Sequence, residues 1–198
     1  MRRNIVKWSP CELSYLEAHK DESINQLSGW LGKSRNAITR KIKELNGEVL
    51  PSKASGKRTN IGKRADLNGL FLRSSWEANI CRLLNYREKK WEYEPDVFIF
   101  KGIKQGTVSY CPDIKVYTNK NKTDYIWLEV KGQLKSSDKT RIRRFKKLYP
   151  DEFKKLRYIA GSKNTVAARF FDEVGVPAYG QMNDLNKAFK DVIEHWER

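Results

Sequence analysis

The chain has 198 residues, and its 40 lysines and arginines outnumber its 24 aspartates and glutamates, giving a formal net charge of +16. The electric field of such a positively charged protein attracts polyanions, and a basic protein displaces condensed counterions when it binds nucleic acid. No run of about 18 apolar residues occurs, and the N-terminus lacks an apolar signal-peptide core, so we expect no membrane partner. The composition therefore favours nucleic-acid binding.

The cysteines and histidines are few and widely separated. Cys11, Cys81 and Cys111 form an odd, scattered set. Such a set is typical of a reducing compartment and argues against a disulfide scaffold, so we expect a cytoplasmic protein. The two histidines, His19 and His195, lie at opposite ends of the chain, and no Cys/His cluster has the spacing of a zinc site. Zinc-finger and histidine-centred hydrolase functions are therefore disfavoured, and we expect no organic cofactor.

Residues 1–48 predict a small all-α helix-turn-helix domain. Capping residues place helix starts at Ser9, at Asp21 or Ser23, and at Ser34, with a break at Gly32. The last helix in such a unit enters the major groove of DNA. We predict DNA contact for its polar side chains, which are Arg35, Asn36, Thr39, Arg40 and Lys43. A three-helix bundle with a solvated basic face is the alternative.

Residues 49–69 predict a basic linker. The stretch 50–64 contains no acidic residue, and it holds two Gly-Lys-Arg copies, which contribute Lys57, Arg58, Lys63 and Arg64. A flexible basic tether could follow the DNA backbone and keep the next domain close to its target. An ordinary solvated linker is the alternative.

The most informative pattern of the chain is Pro112-Asp113 followed by Glu129-Val130-Lys131. Fifteen residues separate the two acids, and this interval predicts a strand, a polar turn over 118–124 and a second strand. Alternate residues of a strand point to the same face, so Glu129 and Lys131 should project together and Val130 should enter the core.

This residue set suits phosphodiester hydrolysis. Two carboxylates can hold a hard divalent cation such as Mg²⁺ or Mn²⁺, which shares its charge with a phosphate oxygen. A neighbouring lysine can orient the attacking water and stabilise the charge that develops in the transition state. We therefore predict Asp113, Glu129 and Lys131 as catalytic residues. The alternative is that Asp113 is a turn residue and that Glu129 and Lys131 are a surface ion pair.

Four ordered segments extend this pattern: residues 71–79 (FLRSSWEAN), 91–95 (WEYEP), 110–114 (YCPDI) and 128–132 (LEVKG). The stretch 70–150 resembles the PD-(D/E)XK nuclease superfamily, and within it the homing-type nucleases of phages and mobile elements. The resemblance implies an α/β nuclease domain over residues 70–198, with a restriction-endonuclease-like mixed sheet flanked by helices. It also implies a catalytic core of Asp113, Glu129 and Lys131.

Two further residues are weaker site candidates. The resemblance implies that Glu77, on the helix before the sheet, completes the metal site in some branches of the superfamily. The segment Ser74-Ser-Trp-Glu77 is also a capping box, so Glu77 could instead bond back to the helix terminus. Gln133 lies two residues beyond Lys131 and could face the same cleft to position water or phosphate.

The remaining chain predicts a helix from Ser137 or Asp138, a strand over 156–160, a helix over 163–174, an edge strand over 176–179 and a helix over 183–196. The first of these helices carries Lys139 and Arg143 on a basic surface, for which we predict backbone contact with DNA. A solvated face is the alternative.

These patterns together predict a site-directed endodeoxyribonuclease that uses a divalent metal and acts on double-stranded DNA. One such site cuts one strand, so a double-strand break would need a homodimer or two successive nicks. The alternatives are a structure-specific nuclease that cuts branched DNA, and a non-catalytic DNA-binding regulator with a nuclease-like fold.

Overall fold

The computed structural model describes residues 8–47 and 61–197, so the predicted contacts of Lys57 and Arg58 lie outside the described residues. The helices are α1 (Pro10–Ala18), α2 (Ile24–Leu31), α3 (Arg35–Leu45), α4 (Ser75–Tyr86), α5 (Ser136–Leu148), α6 (Pro150–Lys154), α7 (Val166–Val174) and α8 (Met182–Phe189). The strands are β1 (Gly62–Arg64), β2 (Leu70–Leu72), β3 (Trp91–Tyr93), β4 (Phe98–Ile99), β5 (Ser109–Tyr110), β6 (Ile114–Tyr117), β7 (Tyr125–Lys131), β8 (Leu156–Ala160) and β9 (Ala178–Gln181).

Within these ranges the chain forms two compact units that are interleaved in sequence. The first contains residues 8–47, 94–112 and 136–150, and the second contains residues 61–93, 113–135 and 151–197. Two segments of the predicted nuclease domain thus group with the N-terminal helices. Such a grouping depends on contacts between distant segments, which local sequence patterns do not reveal.

The N-terminal helices begin at the residues that the sequence predicts. Ser9 and Glu12 form a capping box at α1, with proline at the first helical position. Ser23 and Ser34 cap α2 and α3, and each accepts a hydrogen bond from the backbone N–H three residues on. Gly32 ends α2 in the left-handed conformation, at φ 62°, which glycine adopts without a steric penalty.

An aliphatic cluster holds these three helices together. Its fully buried members are Leu16, Leu27, Leu31 and Ile38. Trp8 and Trp30 pack against this cluster but remain partly exposed. The apolar stripe of α3 therefore faces the core, as its spacing predicts, and leaves the polar face outward.

The rest of the first unit is built around aromatic residues. Strands β4 and β5 pair in antiparallel fashion. Phe145 of α5 packs against Phe98 and Tyr110, with ring centroids 4.8 and 4.7 Å apart. The hydroxyl of Tyr149 donates to the carbonyl of Ile99 at 2.5 Å. Helix α5 is therefore anchored on the short β4–β5 sheet.

Cys11 and Cys111 form a disulfide within the first unit, and Cys81 is a buried free cysteine. The sequence interpretation, which argued against a disulfide scaffold, did not predict this bond. Spacing could not predict this pair, since 100 positions separate the two cysteines and only the grouping of α1 with residues 94–112 brings them together.

Reduction of this disulfide should lower the free energy of unfolding by about 2–4 kcal/mol, because the bond closes a long loop in the unfolded chain. Urea denaturation with and without dithiothreitol measures the change. The Cys11→Ser variant is the matched control, and its unfolding should not respond to dithiothreitol. Labelling of all three cysteines by a thiol reagent in non-reducing denaturant would show that the bond does not form.

A mixed five-stranded sheet forms the centre of the second unit, in the order β3-β6-β7-β8-β9. The pairs β3–β6 and β6–β7 are antiparallel, whereas β7–β8 and β8–β9 are parallel. The predicted α/β class with a mixed sheet is therefore confirmed. None of the helices within residues 8–47 and 61–197 has the length and apolar character needed to cross a bilayer.

Helix α4 packs on one face of this sheet. Its apolar residues Ile80 and Leu84 join Ile114, Leu128 and Val130 of strands β6 and β7 in a single buried cluster. The branched side chains of the central strands suit such a pleated, buried surface. This packing holds the start of α4 beside the start of β6 and the end of β7.

Several predicted boundaries differ from those observed. Strand β8 spans the predicted residues, but α7 begins at Val166 because Thr165 is its N-cap, and α8 ends at Phe189 instead of 196. Strand β9 starts two residues later than predicted. The pairs β1–β2 and β4–β5 were not predicted as strands, because segments of two or three residues carry too little periodicity.

A buried polar network anchors α4 to Glu197. Arg82 binds Asp66 at 2.7 Å and Glu197 at 2.9 Å, and its side chain is almost fully buried. Asn79, fully buried, donates to the Glu197 carbonyl and accepts from the Glu197 N–H. Arg64 makes a second ion pair with Glu197. Each buried group thus has a partner, which offsets its loss of hydration.

Replacement of Arg82 with methionine should destabilise the protein by about 2–4 kcal/mol, because it leaves Asp66 without its buried cation and Glu197 with Arg64 alone. Chemical denaturation measures the change. Arg169→Met, at an exposed position of α7, is the control and should stay within about 0.5 kcal/mol of the wild type. Equal decreases in the free energy of unfolding of the two variants would show that the Arg82 ion pairs do not contribute specifically to stability.

Candidate active site

The hairpin formed by β6 and β7 positions the predicted catalytic residues. The strands are antiparallel, with Ile114 opposite Leu128, and the predicted polar turn joins them. Asp113 immediately precedes β6, while Glu129 and Lys131 lie at the C-terminal end of β7. The predicted hairpin is confirmed, except that Asp113 lies just outside its strand.

Glu129 and Lys131 project together from β7. The Nζ of Lys131 lies 2.8 Å from Oε1 of Glu129, and the lysine side chain is 21% exposed. Val130, between them, is buried in the core, as the alternation predicts. The nearby ammonium compensates the buried carboxylate of Glu129, while the lysine can still meet solvent and substrate.

Asp113 is buried beside this pair. Its Oδ2 accepts a hydrogen bond from the backbone N–H of Val130 at 2.7 Å, which fixes the carboxylate against β7. Burial and the neighbouring Glu129 raise the pKa of Asp113 to about 8, and Lys131 and Arg73 only partly oppose this effect. The structure therefore brings Asp113, Glu129 and Lys131 into one electrostatic site.

Arg73 is a site residue that the sequence interpretation did not single out. Its Nη2 lies 3.6 Å from Oδ1 of Asp113. Burial disfavours the charged guanidinium, but interactions with Tyr93, Asp113 and Glu77 outweigh it and raise the pKa of Arg73. The only sequence signal was its position directly before Ser74, the cap of α4. Arg73 therefore stays charged beside the acids.

Glu77 is held in hydrogen bonds at the start of α4. Its Oε2 accepts from the hydroxyl of Tyr93 at 2.6 Å and from the N–H of Arg73 at 3.1 Å. Its Oε1 accepts from the hydroxyl of Ser74, whose oxygen caps the helix. Oε2 thus supports the backbone at Arg73, and Oε1 binds the side chain of the cap residue Ser74, which is consistent with the capping alternative.

The donor set suits a hard divalent cation at Asp113 and Glu129. Both are buried carboxylates, and the pKa shift of Asp113 shows that a cation beside the pair would relieve like-charge repulsion. In residues 8–47 and 61–197, no group of three or more His, Cys, Asp or Glu side chains is arranged to hold a metal ion. Glu77 is engaged by Tyr93, Arg73 and Ser74, and its predicted part in the metal site stays a prediction. Two carboxylates leave room for the waters that Mg²⁺ retains.

The structure places Gln133 beyond the end of β7, in a bend where its side chain is exposed. Strand alternation does not extend to it, so its predicted role at the cleft stays a prediction.

The predicted DNA-binding residues occupy different environments. The predicted residues of α3 are all exposed, whereas Ile38 is buried; they are Arg35, Asn36, Thr39, Arg40 and Lys43. On α5, Arg143 is exposed and Lys139 is partly buried. Lys63 is exposed on β1, whereas Arg64 is engaged by Glu197. Arg64 is thus committed to an ion pair within the second unit.

Comparisons with known proteins give no further assignment. No family model matches the chain, and neither curated proteins nor solved structures give a significant match.

Proposed function

We propose that this protein is a metal-dependent endodeoxyribonuclease whose second unit has a restriction-endonuclease-like fold. The observation that supports it best is the convergence of Asp113, Glu129 and Lys131 at one end of the β6–β7 hairpin. Two buried carboxylates beside a partly exposed lysine carry a desolvation cost, and such arrangements concentrate at functional sites. The mixed sheet that carries them is consistent with this proposal.

Asp113 and Glu129 would hold the metal ion, Mg²⁺ or Mn²⁺. When bound, the ion supplies positive charge to a phosphate oxygen of the substrate. Lys131 is held by Glu129 close to the acids, from where its ammonium orients the attacking water and stabilises the oxygen charge of the transition state. Arg73 adds a second, permanent cation beside Asp113.

The exposed face of α3 would provide target selection on double-stranded DNA. Arginine, asparagine and threonine side chains supply donors for phosphates and base edges, and the apolar face of the helix is occupied by the three-helix core. The biological role that best fits the resemblance is that of a homing or other phage-borne nuclease. A double-strand break would require a homodimer or two nicks.

Cleavage of a pooled genomic DNA library with Mg²⁺, with sequencing of the ends, tests the proposal. We expect discrete ends that share a sequence motif and that disappear in EDTA. Scattered metal-dependent ends, or cutting confined to branched DNA, would replace site-directed cleavage with one of the other nuclease activities. An absence of metal-dependent ends would favour a DNA-binding regulator.

The targeting role of α3 is tested by Arg35→Ala. Loss of one phosphate or base contact should weaken specific DNA binding by about 1–3 kcal/mol, as measured by fluorescence anisotropy at fixed salt. Lys20→Ala removes one exposed charge outside α3 and is the matched control. If both variants lose affinity equally, α3 contributes only its net charge.

A further inference from the structure

The short strand β2 shows a clear alternation that leads to the active site. Leu72 is buried in the core, whereas Phe71 is 50% exposed and the Arg73 side chain is 38% exposed. Neighbouring side chains on an extended strand point to opposite faces. Phe71 therefore points outward, away from Leu72, and Arg73 follows in the bend after β2, where its guanidinium reaches Asp113.

Strand β1 adds a cation to this side. Lys63 is the antiparallel partner of Phe71, so their side chains lie next to each other on the outer face of the hairpin, and both are exposed. The neighbouring Arg64 is instead engaged by Glu197. The outer face of β1–β2 thus presents the Phe71 ring beside Lys63, and Arg73 lies two residues further along the chain, at the active site.

The chemistry of these three side chains fits a nucleic-acid strand. The planar fork of arginine binds phosphate oxygens with two parallel hydrogen bonds, and lysine binds phosphate as a point charge. An exposed aromatic ring beside such cations can stack on a base, which is how proteins bind single-stranded segments. A duplex with all its bases stacked offers no base face to the ring, so this chemistry selects a strand with an unstacked base.

We propose that Lys63, Phe71 and Arg73 bind one DNA strand beside the scissile phosphate. Arg73 binds the phosphate next to Asp113, Phe71 stacks on an adjacent unstacked base, and Lys63 binds a further phosphate. The position of this strand relative to the cut rests on the proposed nuclease function, whereas the binding itself does not. The consequence is that DNA is locally unstacked where it meets the hairpin.

Binding of the full-length protein to short oligonucleotides in EDTA tests the inference without cleavage. The probes are a labelled duplex with a central two-base mismatch and the same duplex fully paired. Phe71→Leu should bind the mismatched probe about 10-fold more weakly than wild type, with a smaller change for the paired probe. Arg73→Gln should weaken binding to both probes and reduce the salt dependence by about one phosphate contact. Tyr179→Leu, which removes an exposed aromatic ring from β9, is the control and should bind like wild type.

Photocrosslinking gives an independent readout. A probe with 5-iodouracil at the mismatch should crosslink to Phe71, as identified by mass spectrometry of the crosslinked peptide. Crosslinking to Phe71 in a protein that fails to cut DNA would support the binding site and overturn the nuclease proposal. Metal-dependent cutting together with wild-type affinities for Phe71→Leu and Arg73→Gln, and with no crosslink at Phe71, would overturn the binding site alone.

Discussion

Replacement of Lys131 with alanine should reduce the rate of DNA cleavage by a factor of about 10²–10⁴, because it removes the ammonium for which we propose the roles of orienting water and stabilising transition-state charge. The structure supports a direct role, since Lys131 is held 2.8 Å from Glu129 and remains partly exposed. Single-turnover cleavage of a DNA fragment that contains the target site, at saturating Mg²⁺, measures the effect on the chemical step.

A control variant must show that the effect comes from Lys131 itself and not from the change in net charge. Lys89→Ala removes an exposed lysine after α4 in the same unit and should leave the single-turnover rate within a factor of about two, because exposed charges have small effects. DNA affinity of Lys131→Ala should stay close to wild type. A variant that cuts at the wild-type rate would remove Lys131 from the mechanism.

Replacement of Asp113 with asparagine should abolish metal-dependent cleavage and, at pH 8, raise the free energy of unfolding by about 1–3 kcal/mol. The pKa of this carboxyl is raised from 3.8 to about 8 in the folded chain. The unfolded chain therefore releases this proton at a lower pH than the folded chain does. Ionisation of Asp113 thus favours unfolding increasingly as pH rises from about 4 to 8. Asparagine does not ionise, so it avoids this loss of stability. Its side-chain oxygen can still accept the hydrogen bond from the N–H of Val130.

The stability difference between Asp113→Asn and wild type should depend on pH. Below about pH 4 the carboxyl is protonated in both states, so Asp113→Asn and wild type should be equally stable. The difference should grow as pH rises and level off above about pH 8. Urea denaturation in EDTA at several pH values measures it. A wild-type protein that is more stable than Asp113→Asn at pH 8 in EDTA would contradict the assigned electrostatics.

The same variant reports on metal binding without any cleavage assay. Addition of Mg²⁺ or Mn²⁺ should raise the melting temperature of the wild type, because a ligand that binds the folded state stabilises it. Asp113→Asn should lose most of that shift, whereas Asp191→Asn, at an exposed position, should keep it. Equal shifts in all three proteins would place metal binding elsewhere.

Local patterns predicted most of the elements around the site. Serine caps located the starts of α1, α2 and α3, because a cap is a contact between residues three positions apart. The two-residue alternation located β7 and predicted that Glu129 and Lys131 project from one face while Val130 projects from the other. These features depend on interactions along one helix or one strand, which a single sequence displays directly.

Contacts between distant segments were not accessible in this way. Cys11 and Cys111 are joined although 100 positions separate them, and Arg82 meets Glu197 across more than half of the chain. Arg73 looked like an ordinary residue before a helix cap, and only the packing of α4 on β6 and β7 places it beside Asp113.

The sequence alone determined the hairpin and the pairing of Glu129 with Lys131, because these follow from periodicity and polar turns, whereas the α/β class was implied by the family resemblance. Only the tertiary structure decided that Glu77 supports Tyr93 and the backbone of Arg73, that Arg64 is committed to Glu197, and that Phe71 remains exposed beside the site. The reason is that burial, hydrogen-bond partners and charge neighbours arise from close packing between elements that are remote in the chain.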